Sequence, residues 1–329
     1  MSAVARAAGV SVSTVSHFVN GTRQISAERD RVRAAMERLG YVHHPVARSL
    51  GAGTGRTVGL AVTVTSNPYW MDLVAAVDEA AAQAGLQLVI VDTMDEEERE
   101  LRVISNLLAR HVDGLIMTPS PTWRRRVLPI LREHPVPYVL MDRFERLRVD
   151  QVGVENTQPV RTLVEHLIDL GHRRIGIVTG RDGVSTTAER TAGYIQALNA
   201  RDLDVDPALL SCGYSTVNGG ARAMDGLLRL PDRPTAVFVS NNCMTIFALQ
   251  AVAAHGLKVP ADLGLVCFDD HPWAGLFEPR LTAIAQPNRR IGTTAVSLLE
   301  QRLNDALAPP QLVRLSPSLA HRNSCGCRA

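Results

Sequence analysis

Residues 57–92 read TVGLAVTVTSNPYWMDLVAAVDEAAAQAGLQLVIVD, and three patterns succeed one another in them. TVGLAVTV (57–64) is a β-branched, apolar run with the length of a strand buried on both faces. Residues 71–84 carry apolar side chains at helical spacing, and QLVIVD (87–92) is a second buried strand. A strand, a helix and a strand in this order form a βαβ unit, whose two strands lie parallel.

The same alternation runs on from there. GLIMT (114–118), YVLMD (138–142), RIGIVT (174–179), TAVFVS (235–240) and GLVCFD (264–269) read as further buried strands. Helical patterns fall at 96–110, 160–170, 190–199, 218–230 and 244–255. This predicts an α/β domain over residues 58–329 with two doubly wound, parallel-sheet lobes. The expected break is near 154–157, with a return after Gln286-Pro287. One lobe then takes residues 58–155 and 287–312, the other 156–284 and 313–329.

In such sheets a ligand sits beyond the carboxyl ends of the strands. The residues found there are Thr65-Ser66-Asn67-Pro68-Tyr69-Trp70, Asp142-Arg143, Gly180-Arg181-Asp182, Asn241-Asn242 and Asp269-Asp270. Aromatic rings beside carboxylates, amides and guanidinium groups suit a small polyol: a ring covers an apolar sugar face while planar groups grip hydroxyls. Each residue also has a plainer reading. Tyr69 and Trp70 can close a core, and Asp142 or Asp269 can cap a helix.

Upstream, VARAAGVSVSTVSHFVN (4–20) reads as two short helices hinged at Gly9. Val4, Ala5 and Ala8 give the first an apolar face. Ser11 is a good N-cap for the second, on which Val15, Phe18 and Val19 form a core stripe. Ser13, His17 and Asn20 share another face and are hydrogen-bonding but uncharged. Such a helix suits a major groove, although a helical hairpin that binds nothing has the same periodicity. A third helix is expected from a Ser26 cap to about Leu39, stopping at Gly40, with Val32, Ala35, Met36 and Leu39 inward and Arg29, Arg31, Arg33 and Arg38 outward.

Charge separates the two parts. Residues 1–57 hold eight arginines against Glu28, Asp30 and Glu37, a net of +5, while the remainder holds 27 basic and 30 acidic groups. A basic head on a slightly acidic body is the footprint of a nucleic-acid-binding module joined to something else. No run of 18 apolar residues is present, so no membrane span is expected. The absence of a signal-peptide apolar region predicts a cytoplasmic protein. Cys212, Cys243, Cys267, Cys325 and Cys327 form no CxxC pair, and Cys325-Gly-Cys327 is a weak pattern for a metal or redox site that reads first as an incidental tail. No metal or cofactor is expected. Nucleotide-binding, nucleophile-elbow and HExxH patterns are missing, so no catalytic residue is assigned.

Several segments carry a resemblance. AxxAGVSxSTVSxxxN (5–20), PVARSL (45–50), SNPYW (66–70), RHVDGLI (110–116), HLIDLGHRRIGIV (166–178), ERTAGY (189–194), VPADLGLVCFDD (259–270) and PRLTAIAQP (279–287) closely resemble the lactose/galactose repressor family of bacterial transcriptional regulators, across nearly the whole chain. The resemblance implies a small all-α helix-turn-helix headpiece (1–42), a hinge helix and linker (43–57) and a periplasmic-binding-protein-like effector domain (58–329). It implies double-stranded operator DNA as partner. Val12, Ser13 and His17 would face base edges, and Ser11, Thr14, Ser16 and Asn20 would lean toward phosphates. Ala47 would sit against the minor groove and Leu50 would wedge between base pairs.

By the same resemblance Tyr69 and Trp70 stack on an effector, a sugar or derivative, while Asp142, Arg190, Asn241 and Asp269 make polar contacts. The family's usual Asp after Asn241 is Asn242 here, which implies an effector other than a standard hexose. The C-terminus lacks leucine heptads, so a homodimer and not a coiled-coil tetramer is expected. The alternative function is a sugar-binding protein of the periplasmic type, which would need a secretion signal and no basic head.

Overall fold

A computed structural model describes residues 1–20, 28–39, 57–63 and 67–327, apart from the side chains of Val19 and Asn20. The chain divides into two compact units, residues 1–55 and 56–329. The proposed contacts at Ala47 and Leu50, the Ser26 cap, the Gly40 stop and the Asn20 side chain lie outside the described residues.

In the first unit, α1 (Ser2–Ala8), α2 (Val12–Asn20) and α3 (Arg29–Arg38) bury Val4, Ala5, Ala8, Val15, Val32 and Ala35 together. Gly9, at φ 64°, closes α1 in the left-handed conformation that glycine adopts without strain. Ser11 Oγ accepts the Thr14 N–H at 3.0 Å, which satisfies one of the free donors at the start of α2. Leu39 departs from the expected inward stripe. It lies just past the last turn of α3 and is 47% exposed.

The larger unit holds two six-stranded sheets. The first runs β11 (Leu312–Leu315), β5 (Asp150–Val154), β4 (Tyr138–Met141), β3 (Gly114–Met117), β1 (Thr57–Val62) and β2 (Gln87–Asp92), all parallel. The second runs β12 (Ser318–Ala320), β10 (Thr282–Ala285), β9 (Gly264–Phe268), β8 (Ala236–Val239), β6 (Ile175–Thr179) and β7 (Leu210–Cys212). In that sheet β12 is antiparallel to β10 and the rest are parallel. Both sheets place their strands in the doubly wound order 2-1-3-4-5, closed at one edge by a strand from the C-terminal segment.

Helices cover the sheets: α4 (Pro68–Gln83), α5 (Glu97–Ala109), α6 (Trp123–Arg126), α7 (Leu128–Glu133) and α12 (Asn288–Asn304) in one lobe; α8 (Thr157–Asp169), α9 (Ser185–Asn199), α10 (Val217–Leu228) and α11 (Asn242–Ala254) in the other. Gly193 lets α9 pack closely on α8, because a Cβ there would lie 2.3 Å from the Thr157 carbonyl oxygen. The chain passes between lobes at residues 155–156, 286–287 and 316–317. The last crossing corrects the expected boundary at 313. Leu312–Leu315 pairs with β5 in the first sheet before the chain returns as β12.

Strand β5 was hidden in the sequence because it buries polar side chains. Asp150 binds Arg302 at 2.8 Å, and Gln151 bonds the backbone of Glu145 and Leu147. No described helix is long and apolar enough to cross a membrane.

Candidate functional site

The carboxyl ends of both sheets face one cleft, lined by Tyr69, Trp70, Asp142, Arg190, Asn241 and Asp269 among others. All six predicted cleft residues therefore converge. The cavity volume is about 180 Å³, roughly a dozen water-sized places, which suits a small molecule better than a single ion.

Two aspartates hold corresponding places in the lobes. Asp142 follows β4 and Asp269 follows β9, at φ 72° and 74°. Each N–H donates at 2.9 Å to the neighbouring strand, to the carbonyl oxygens of Val152 and Ile284. Asp tolerates the left-handed region better than most side chains, and both residues line the cleft. Tyr69 Oη donates to Asp142 Oδ1 at 2.7 Å. Burial raises the Asp142 carboxyl above its ordinary range, opposed by Arg143, by the Tyr69 bond and by Arg190. Burial first, and the Asp142 charge second, push the Tyr69 phenol well up. Asp269 accepts the Gln286 side-chain amide at 2.6 Å and the Asn242 N–H at 3.2 Å.

Arg190 is 7% exposed on α9. Its guanidinium lies 3.5 Å from the Phe268 ring centroid, donates to Asn156 Oδ1 at 2.9 Å and donates to the Ser240 carbonyl oxygen at 2.7 Å. Asn156 sits in the first crossing between lobes and donates to Glu189 Oε2 at 2.8 Å. Glu189 in turn binds Arg314 of β11 at 2.7 Å. The floor of the cleft is thus wired to two of the three crossings. Asn241 is in part a cap: its Oδ1 accepts the Met244 N–H at 3.0 Å.

The rim was only half visible in the sequence. Asp95 binds Arg143 at 2.6 Å, and Arg181 of the opposite lobe donates to the Asp95 carbonyl oxygen at 2.7 Å. Burial alone would lower the Arg143 pKa, yet the Asp95 charge and bond raise it overall. Arg143, Arg181 and Gln286 each follow a strand closely, the signal that marked Asp142 and Asp269. Asp95 stands on a tight loop with Met94, at φ 55° and 52°, where side-chain spacing gives no clue.

Asn242 was expected to alter charge near the ligand. Its side chain turns from the cleft and is 3% exposed, with Nδ2 2.6 Å from Asn67 Oδ1 and 2.5 Å from His271 Nε2. An amide can donate to both acceptors, whereas an ionised carboxylate has no proton to give. Asp270, also beyond β9, is spent on Arg322 at 2.7 and 2.9 Å.

In the N-terminal unit, Val12, Ser13 and His17 are exposed along α2, opposite buried Val15. Ser11 Oγ lies 2.7 Å from Ser13 Oγ and 2.8 Å from Thr14 Oγ1. Thr14 and Ser16 are half-buried at the side of this edge.

Residues 1–44 match the model of the bacterial regulatory proteins, lacI family, and residues 164–325 match that of a periplasmic binding protein-like domain. The chain is 32% identical to the HTH-type transcriptional repressor PurR of Aliivibrio salmonicida, over 98% of this chain and 97% of that protein. It is 34% identical to the ribose operon repressor of Escherichia coli strain K12, over 98% and 99%. Its fold is similar to that of the lac repressor dimer bound to operator and the anti-inducer ONPF, with a TM-score of 0.86, 29% identity and coverage of 98% and 97%. The complex of the transcriptional regulator CelR with cellobiose is also similar, with a TM-score of 0.75, 31% identity and coverage of 98% of each chain.

Proposed function

Because the chain belongs to the lacI family of bacterial regulatory proteins and is a DNA-binding transcriptional repressor, we propose that it controls a carbohydrate-utilisation operon, answering to an uncharged, polyhydroxylated effector in its inter-lobe cleft. The charge balance of the cleft carries this reading. Asp95, Asp142 and Asp269 are matched by Arg143, Arg181 and Arg190 along its walls, so a ligand with net charge finds no counter-charge in excess. A sugar hydroxyl both donates and accepts, and it suits carboxylates and guanidinium groups set side by side. Two relatives point the same way by name, one a ribose operon repressor and one complexed with cellobiose.

The repressor acts as a cytoplasmic homodimer on a near-palindromic operator, one headpiece per half-site. Val12, Ser13 and His17 read base edges, while Ser11, Thr14, Ser16 and Asn20 fix the register on phosphates. Ala47 and Leu50 make the minor-groove contacts, with Leu50 as the wedge. No catalytic step is assigned to any of these groups. Effector binding favours one arrangement of the lobes, and Arg190 passes that preference through Asn156, Glu189 and Arg314 to the crossings.

A thermal-shift screen of the full chain against sugars, polyols, sugar acids and nucleobases tests the reading. At a hundredfold excess over the dissociation constant, the effector should add about 2.7 kcal/mol of stability. A response to charged acids or nucleobases alone would overturn the sugar assignment.

A further inference from the structure

Beyond the cleft, the C-terminal tail brings together four groups that are far apart in sequence. The Sγ atoms of Cys325 and Cys327 and one ring nitrogen each of His166 and His321 all lie within 4.8 Å of one another. Cys325 Sγ is 3.6 Å from His321 Nε2, and Cys327 Sγ is 3.4 Å from His166 Nε2. The two imidazoles stand edge to face, with centroids 5.1 Å apart. His166 projects from the last turn of α8, and His321 follows β12.

These separations have a chemical meaning. A tetrahedral zinc ion with bonds of about 2.3 Å to sulfur and about 2.0–2.1 Å to nitrogen puts its S and N ligands roughly 3.5 Å apart. Both observed S···N distances fall at that value. Ordinary packing does not need two thiols and two imidazoles to turn their ligand atoms toward one point. Their surroundings are also set for this. Thr282 Oγ1 donates to Cys325 Sγ at 3.5 Å, a bond that favours thiolate and orients the sulfur. Ser324 is locked by its Oγ, which accepts the Thr282 N–H at 2.8 Å and donates to the Leu265 carbonyl oxygen. Cys325 is therefore fully buried, and the tail is not the incidental end its sequence suggests.

We propose that His166, His321, Cys325 and Cys327 form a structural site for a thiophilic divalent cation of the zinc class, which staples the C-terminus to α8. Binding releases the two thiol protons to solvent, and all four positions are filled by protein, so the site is closed and not catalytic. The ion crosslinks the tail after β12 to the helix that begins at the first crossing between lobes. It thereby stiffens the lobe that carries Arg190 and Asp269.

The test uses full-length protein prepared without a histidine tag, under reducing conditions. Elemental analysis should find about one zinc per chain. Cys327→Ser and His321→Ala, which change groups not fully buried, should each lose most of it while keeping the wild-type circular dichroism. Cys212→Ser should keep it. Chelation should lower the thermal midpoint and added Zn²⁺ should restore it. Co²⁺ in its place should give thiolate charge-transfer and tetrahedral ligand-field bands. Three results would overturn the proposal: no zinc uptake by the reduced wild-type chain, equal zinc in wild type and both variants, or no cobalt–thiolate band.

Discussion

Arg181 donates to the backbone carbonyl oxygen of Asp95 at 2.7 Å, from one lobe to the other across the mouth of the cleft. Its guanidinium also lies 3.8 Å from the Asp95 carboxylate, which itself holds Arg143 at 2.6 Å. Arg181 thus ties the two lobes together at the rim, as the bond from Asn242 to Asn67 does elsewhere. Removing it should shift the lobe equilibrium toward the open form without touching the cleft floor. We expect Arg181→Ala to weaken effector binding by about 1.5–3 kcal/mol, the usual worth of a hydrogen bond to a charged group. Calorimetric titration measures this. Unchanged affinity would mean that the bond does not favour the bound state.

Asp142 gives a pH signature. Burial raises its folded-state pKa above the ordinary carboxylate value, so the native chain binds this proton more tightly than the unfolded chain does. The contribution of Asp142 to stability is fully present at low pH and is lost as pH rises through the raised value. Asp142→Asn keeps an acceptor for Tyr69 but does not ionise. The effector-free variant should therefore match wild type in acid and become the more stable protein as pH approaches neutrality. Thermal melts of both across that range check the sign. A variant less stable at neutral pH would show that the Arg143 and Tyr69 interactions outweigh desolvation.

Close packing of α9 on α8 supports the same site from behind. At Gly193 an added Cβ would meet the Thr157 carbonyl oxygen at 2.3 Å and Val160 Cβ at 3.0 Å. Backbone cannot give way as a flexible side chain can, so the helices must separate. Gly193→Ala should cost about 1–3 kcal/mol, the range for overpacking, and should also displace Arg190, three residues earlier on α9. Denaturant unfolding reports the first effect and effector titration the second. A neutral substitution would show that the two helices slide freely.

What the sequence disclosed followed periodicity and position. Strands β1, β2, β3, β4, β6, β8 and β9 were legible as apolar runs of strand length, although β2 is a half-exposed edge strand rather than a buried one. Helices α6, α7 and α12 and the short strand β10 were not read as elements. Asp142, Asn241 and Asp269 were legible because they stand within two residues of a strand end, and Tyr69 because it opens the helix after β1. Strand β5 was not, because Asp150 and Gln151 are buried by bonds to Arg302 and to backbone that no local pattern announces. Asp95 was missed because its role depends on a partner 86 residues away. The same applies to the tail cysteines, whose histidine neighbour on α8 is 161 residues away from Cys327.

At the proposed hinge, Leu50 and the phosphate-directed residues should separate in experiment. A wedge into a base step acts only where the duplex yields, whereas phosphate contacts act on any sequence. Leu50→Ala should therefore weaken operator binding at least tenfold while leaving affinity for random duplex and its salt slope nearly unchanged. Electrophoretic mobility shift against both duplexes decides it. Equal loss on each would remove the wedge from the mechanism.

At α2, the capping residue and a residue of the exposed edge should fail in different ways. Ser11 caps the helix through the Thr14 N–H, so Ser11→Ala should cost the N-terminal unit about 1 kcal/mol of stability and weaken all DNA binding together. His17 is exposed on α2 and is no part of the buried cluster around Val15. His17→Ala should cost about 1–3 kcal/mol at its own base pair only. A scan of single-base operator variants should show the preference relaxed at one position in each half-site. Relaxation at every position, or loss of helicity, would assign His17 to the fold and not to recognition.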